Sequence, residues 1–459
     1  MRIRKITIQD KASARQFALR LSEKPIDSSN FFSVLIGANG TQKSQSLREI
    51  LETGFSAISR ASAYGVQSTL DKGGLVFWRV GQDSSNYLPT KIIAVSGVAT
   101  DRFPTRLSPR KTRREFAEDL YRYVGPKTEN NLVSRVQNIQ QLAMSLCSYA
   151  HRVKDRTEQL SIPFDALSLA QRIVFPLRTR PAAKDDKWTT KEVVDWVISK
   201  KLWHQDSELS KKLIEECVTL ANYPGNPRLI LDLGRSVPIR CTTRVSFEAI
   251  KLALETDLLT IYQPFVFGKG ERQLPLSELS SGQWHVLSSL LFTAIAVDDG
   301  SLVLIDEPEN SLHPAWQREY PVLFHNALSC VKGVHVVVAT HSPLIASSLP
   351  PIQAEVIKLA RNRNGNIAAN RVESGPFGWT ADDILLQVFG LESTRSAAFE
   401  KEMELSLRLF GNGNRSSSAL KASVLRLTEF AKYLPKDDIA RNVISTMASV
   451  VVKQTASEE

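Results

Sequence analysis

SLVLIDEP, residues 301–308, sets the apolar run Leu302–Ile305 in front of two acids, Asp306 and Glu307. A run of this kind reads as a strand buried on both faces that delivers two carboxylates at its carboxyl end. Asp306 is then placed to hold Mg²⁺, and Glu307 to polarise a water beside a terminal phosphate. Alone, such a strand could simply end in an acidic turn. The surrounding sequence decides the matter.

Upstream, GANGTQKS (37–44) follows the apolar run Phe31–Ile36 and precedes a segment whose Leu47, Ile50, Leu51 and Phe55 share one helical face. The phosphate-cradling pattern is G-x-x-x-x-G-K-[ST]. Gly37, Lys43 and Ser44 fit it, whereas Gln42 stands where the second glycine belongs. A turn through Gly37, Asn39, Gly40 and Gln42 would offer backbone N–H groups and a helix N-terminus to the phosphates of ATP. Lys43 would bridge β- and γ-phosphates, and the Ser44 hydroxyl would join Asp306 on Mg²⁺. A side chain at position 42 costs on the order of 1–2 kcal/mol where glycine's left-handed backbone is required. From this we expect good nucleotide binding and slow or gated hydrolysis.

LSSGQ (279–283) comes next, ahead of the acidic strand and opening an apolar helix. The Ser280 hydroxyl and the Gly282 N–H at that helix start form an anion-binding arrangement, although a serine cap would look the same. VVVATHSP (336–343) follows with His341 directly after a strand, where an imidazole can donate to a γ-phosphate.

These four motifs, in this order, resemble the ABC-type ATPase superfamily and more closely its RecF/OLD-like branch; ENSLHP (309–314) looks like that branch's D-loop. The resemblance covers residues 1–104 and 228–350. It implies an α/β P-loop ATPase head that is incomplete alone, with ATP and Mg²⁺ sandwiched between two copies. Ser280, Gly282 and Gln283 would then act on a partner's nucleotide, while Glu307 and His341 serve catalysis. The usual Q-loop glutamine is missing. IIAVSG runs on into VATDRFP, so Ser96 or Asp101 would take part of its role.

The expected layout is an N-terminal core lobe (1–104), a helical insertion (105–227), a C-terminal core lobe (228–378) and a helical C-terminal region (379–459). Within the insertion, helical spacing is read over 115–124, 131–152, 166–177, 191–201 and 207–220; strands are read over 74–80, 91–98, 229–233, 243–247 and 259–266. Prolines 104, 109, 126, 163, 176 and 181 break the insertion, which excludes the long heptad arm of chromosome-maintenance ATPases. The tail shows no E…DxD metal arrangement, so no nuclease of the OLD type is expected. GWTADDILLQVFGLESTR (378–395) reads as a helix capped by Thr380 and closed by Gly390. It resembles the matching segment of anti-phage ATPases of the Septu, PARIS and retron systems, which work with a separately encoded effector, often a nuclease. That resemblance implies defence; a RecF-like DNA-binding ATPase and a slow ATP-bound scaffold are the alternatives.

Composition sets the bounds. The 459 residues are 42% hydrophobic and 23% charged, as in a soluble globular protein, and the net charge of +10 admits DNA as a partner. RFPTRLSPRKTRR (102–114) carries basic residues and no acid, which suits nucleic-acid phosphates or an acidic partner as well as a solvated loop. No signal-peptide core and no membrane-length apolar run is read, and the four cysteines lack CxxC spacing. A cytoplasmic protein with reduced thiols is expected.

Overall fold

Seven strands, in the order Ile367–Arg371, Ala354–Arg361, Phe31–Ile36, His335–Thr340, Leu302–Asp306, Ile92–Ser96 and Tyr121–Val124, form the central sheet of the computed structural model. All neighbours are parallel except the first pair. The model describes residues 2–9, 16–22, 29–64, 76–78, 88–98, 100–105, 120–127, 134–182, 187–200, 211–373, 375–391, 393–412 and 417–455. Every residue of Phe31–Ile36, Leu302–Asp306 and His335–Thr340 is buried, which explains why these segments read as continuous rather than alternating apolar runs. Their adjacency sets the loops after Ile36, Thr340 and Asp306 side by side at one sheet edge, where open α/β sheets bind ligands.

Helix Lys43–Tyr64 packs Leu47, Ile50, Leu51 and Phe55 on this sheet against Leu35, Leu304 and Ala94. An antiparallel sheet of Gln16–Arg20, Arg2–Gln9 and Val76–Trp78 adds Ile3, Ile6 and Ile8 to the same core. A buried polar chain ties that sheet down: the Ile3 N–H donates to His335 Nδ1 (3.0 Å), and Ser33 Oγ lies 2.9 Å from His335 Nε2. Ser33 in turn donates to Glu355 (2.6 Å), which also pairs with Arg371.

A second sheet is antiparallel and runs Gln273–Pro275, Phe265–Phe267, Ala170–Thr179, Arg228–Asp232, Ile239–Cys241, with Leu259–Ile261 on the far half of Ala170–Thr179. The chain folds as two compact units, Met1–Ala381 and Asp382–Glu459. The second contains helices Ala397–Gly411, Ser418–Ala431 and Ile439–Thr455 around Leu420, Leu427, Ile444 and Met447.

Several elements differ from the sequence reading. The stretch 105–227 is not helical throughout: Tyr121–Val124 is an edge strand of the central sheet, and Ala170–Thr179 is the middle strand of the second. In the latter, Leu169, Ile173 and Leu177 fit helical spacing, yet Ile173, Phe175 and Leu177 alternate equally well, and β-pairing on both sides selects the strand. Residues 243–246 turn into helix Phe247–Glu255, capped by the Ser246 hydroxyl on the Ala249 N–H, where a strand was expected. The single strand expected over 259–266 divides at Pro264. Residues 106–119, 128–133 and 201–210, which hold most of the basic stretch and parts of four expected helices, lie outside the described residues.

Candidate functional site

The loop after Phe31–Ile36 keeps a phosphate-loop shape despite Gln42. Gly40 and Gln42 both have left-handed backbones, with φ of 79° and 68°. Glutamine therefore occupies glycine's conformation without rerouting the turn, and Ser46 donates its N–H (2.8 Å) and Oγ (2.8 Å) to the Gln42 carbonyl. Asn39 and Gly40 form the exposed tip. Gly37 sits at the base, where a Cβ would stand 2.2 Å from the Leu359 carbonyl oxygen and 2.8 Å from Thr41 Oγ1. No other residue fits there.

Lys43 is buried and turns back into the loop, donating from Nζ to the carbonyls of Gly37 (2.8 Å) and Ala38 (3.2 Å). Burial lowers its pKa to about 8, against the opposing pull of Glu307, Glu309 and Asp306. Ser44 Oγ donates to Asp306 Oδ1 at 2.9 Å. Burial pushes the Asp306 carboxyl up to about 7, Glu307, Asp101 and Glu309 adding to the rise and the Ser44 hydrogen bond opposing it.

Glu307 directly follows the strand in a left-handed conformation (φ 46°, ψ 55°), a strained backbone of the kind that concentrates at functional sites. Asn310 Nδ2 donates to Glu307 Oε2 at 2.7 Å and fixes the carboxylate. His341 stands between the two motifs, Nε2 3.8 Å from Glu307 Oε1 and Nδ1 3.5 Å from Lys43 Nζ. Its pKa is lowered by burial and then by Lys43, with Glu307 opposing. Glu309 accepts from Thr340 Oγ1 (2.8 Å) and from the His341 N–H, so it clamps the backbone that carries the histidine. Thus Gly37, Lys43, Ser44, Asp306, Glu307 and His341 are brought together.

Ser280, Gly282 and Gln283 belong to a second cluster. Ser280 caps helix Ser281–Ala296 in a reciprocal box: its Oγ accepts from the Gln283 N–H (3.2 Å), and Gln283 Oε1 accepts from the Ser280 N–H (2.8 Å). The Gln283 side chain is therefore engaged by the helix start. At Gly282 an added Cβ would lie 2.3 Å from the Ser311 carbonyl oxygen, so glycine is required by the close approach of 309–314.

The Q-loop substitutes are structurally occupied. Ser96 Oγ donates to the Val98 carbonyl (2.9 Å). Asp101 is ion-paired with Lys127 (2.8 Å) and accepts from Tyr123 OH (2.7 Å) and the Phe103 N–H (2.8 Å). Sequence reasoning placed Glu309 and Asn310 in the 309–314 motif without their roles here, and missed Arg361 altogether. Glu309 had a signal in its place three residues beyond Asp306. Arg361, which donates to the Gly40 carbonyl at 3.0 Å, had none, because only strand order brings it to the loop.

The residues fit Mg²⁺-ATP on structural grounds. The Ser44 hydroxyl and the Asp306 carboxylate, hydrogen-bonded at 2.9 Å, are adjacent hard oxygen donors of the kind that would hold Mg²⁺. A buried carboxyl lifted to about 7 is one that a cation would relieve. Among the described residues no group of three or more His, Cys, Asp or Glu is placed to hold a metal by protein ligands alone.

Fold and motifs together define a P-loop nucleotide-binding protein. The chain belongs to the family described as "AAA domain, putative AbiEii toxin, Type IV TA system", whose model matches residues 32–347. It is similar to "Protein ea59" of Escherichia phage lambda, 34% identical over 122 residues that make up 26% of this chain and 22% of that protein. It is also similar to "Septu protein PtuA" of Bacillus thuringiensis, 31% identical over 105 residues, 22% of this chain and 25% of that one. The matched stretches thus span about a quarter of these relatives. Among solved structures, an SMC head domain from Thermotoga maritima is similar at 12% identity and a TM-score of 0.29, covering 81% of this chain and 100% of that one. No helix among the described residues is long and apolar enough to cross a membrane.

Proposed function

We propose that this protein is an ATPase that binds Mg²⁺-ATP in composite sites between two copies and uses the resulting change of state to control a separately encoded effector in anti-phage defence. The observation that carries the ATPase reading is the meeting, at one sheet edge, of the Gly37–Ser44 loop, the Asp306–Glu307 pair and His341.

In this reading the loop N–H groups and Lys43 bind the phosphates, and Ser44 and Asp306 hold the metal. Mg²⁺ supplies neutralisation of charge on the phosphate oxygens. Glu307, oriented by Asn310, takes a proton from the attacking water. His341 donates a hydrogen bond to the terminal phosphate, its position set by Glu309. Ser280 and Gly282 present a helix N-terminus to the nucleotide of the partner copy. Because Gly282 touches Ser311 next to the Glu309–Asn310 pair, docking of a partner at the signature helix would be felt by both Glu307 and His341.

Defence and effector control are supported by the likeness to the Septu protein and by the family to which the chain belongs. We assign residues 1–104 and 228–378 to the core lobes, 105–227 to an insertion that also lends Tyr121–Val124 to the central sheet and Ala170–Thr179 to the second, and 379–459 to a C-terminal region; the last two are where a partner would be carried. A cytoplasmic location follows from this role.

Mixing two inactive variants tests the composite site. Lys43→Ala disables the phosphate loop and Ser280→Arg the signature, so a mixed dimer retains one intact site. Random 1:1 mixing should restore about a quarter of wild-type turnover by symmetry. No restoration, in a mixture shown to exchange subunits, refutes the shared site. Effector control is tested by co-purification with the product of an adjacent gene, and loss of phage protection in Lys43→Ala is its expected companion.

A further inference from the structure

We propose that the open face of the six-stranded sheet binds single-stranded nucleic acid. The inference uses none of the nucleotide-site residues and does not rest on the ATPase reading. In this sheet Ile173, Phe175, Leu177, Leu229 and Leu231 point to the core and are fully buried. Residues directly opposite one another in antiparallel strands share a face, so the register places the opposite set together. Arg240, Ile230, Val174 and Phe265 form one cross-strand row. Arg228 and Pro176 form the next, continued by Tyr262, whose N–H donates to the Pro176 carbonyl at 2.9 Å. With strands about 4.8 Å apart, the first row runs about 14 Å across three gaps.

This face is basic and aromatic rather than merely polar. Arg178 lies over the Tyr262 ring at 5.2 Å and Arg172 over Phe267 at 3.7 Å. Two acids oppose the arginines: Asp232, 3.7 Å from both Arg240 and Arg235, and Glu271, paired with Arg172. Four arginines (172, 178, 228 and 240) less these two acids leave an excess of two positive charges, with Arg178 and Arg228 exposed. Tyr262 is 45% exposed, which leaves ring surface for a base to stack on. Guanidinium groups that track phosphates, interleaved with rings that accept any base, are the requirements of a single-strand platform. A duplex, whose bases are already stacked, could use only the charges. Charge complementarity and the exposed Tyr262 ring therefore select a single strand over duplex DNA or an acidic protein.

The test is fluorescence anisotropy with labelled dT20 and the full-length protein, titrated over salt. Wild type should bind with an affinity that falls as salt rises. Arg178→Gln/Arg228→Gln/Arg240→Gln should weaken binding and flatten the log–log salt slope by about 2, three contacts at about 0.7 each. Tyr262→Ala should cost about tenfold with the slope unchanged. The far-UV circular dichroism and Tm of all variants should match wild type, which reports that they are folded. The proposal is overturned if wild type shows no salt-dependent binding, if the triple variant binds like wild type, or if Tyr262→Ala is silent. Duplex DNA of equal length or an acidic peptide competing as well as dT20 would overturn it equally.

Discussion

Replacing Gln42 by glycine separates a strained loop from a restrained one. The residue holds φ 68°, and the loop around it is tied by Lys43 on the Gly37 carbonyl and Ser46 on the Gln42 carbonyl. A left-handed backbone costs a side-chain-bearing residue about 1–2 kcal/mol, and glycine's larger unfolded entropy takes back about 0.5–1 kcal/mol. The net gain from Gln42→Gly over Gln42→Ala should be about 0.5–1 kcal/mol. The alanine variant is the proper reference, because it removes the same side chain while keeping the strain. In a chain this long that is a rise in Tm of about 0.5–1 °C by differential scanning calorimetry. The strain is present before and during turnover, so kcat of the two variants should agree within about twofold. A tenfold rise in kcat for glycine would mean that about 1.4 kcal/mol is released only in the transition state. Equal Tm values for the two variants would refute the reasoning from strain.

Asp306, raised to about 7, favours the protonated form in the folded nucleotide-free protein. Its stabilising contribution is complete below its unfolded pKa near 4 and is lost as pH rises through about 7. The Tm advantage of Asp306→Asn over wild type should accordingly grow between pH 5 and pH 8, and a constant difference would contradict the shift. Mg²⁺ must displace that proton, so Mg²⁺ affinity, measured by calorimetry in the presence of nucleotide, should fall by up to about tenfold per pH unit below 7. Glu309→Ala frees Thr340 and the His341 backbone and should lower kcat by about tenfold to a hundredfold while the ATP Kd stays within about threefold. Unchanged kcat would remove Glu309 from the positioning of His341. Gly282→Ala drives a Cβ to 2.3 Å from the Ser311 carbonyl oxygen and should cost about 1–3 kcal/mol, read as a lower Tm.

The central strands were legible because strands buried on both faces are written as largely apolar rather than alternating runs, and FFSVLI, LVLID and HVVVAT are such runs. The site was legible for a related reason. Each run ends in residues whose types carry the chemistry, and parallel neighbours bring those ends together without further instruction. Ala170–Thr179 was not legible, because its apolar residues satisfy both periods and its partners Phe265–Phe267 and Arg228–Asp232 lie far along the chain. The hairpin Ala354–Arg361 with Ile367–Arg371 also went unread, and with it Arg361 on the loop. Gln42 looked like a defect in the motif; only its φ shows that the turn tolerates it.

Phosphate release in a single turnover, with ATP binding measured on the same samples, tests the central claim most directly. Wild type and Glu307→Gln are each mixed with Mg²⁺-ATP under excess enzyme. Glu307→Gln should bind ATP within a few-fold of wild type and release phosphate about 10²–10⁴ times more slowly, the span expected for a lost general base. Phosphate release by Glu307→Gln at the wild-type rate, or no ATP binding by either protein, would contradict the account.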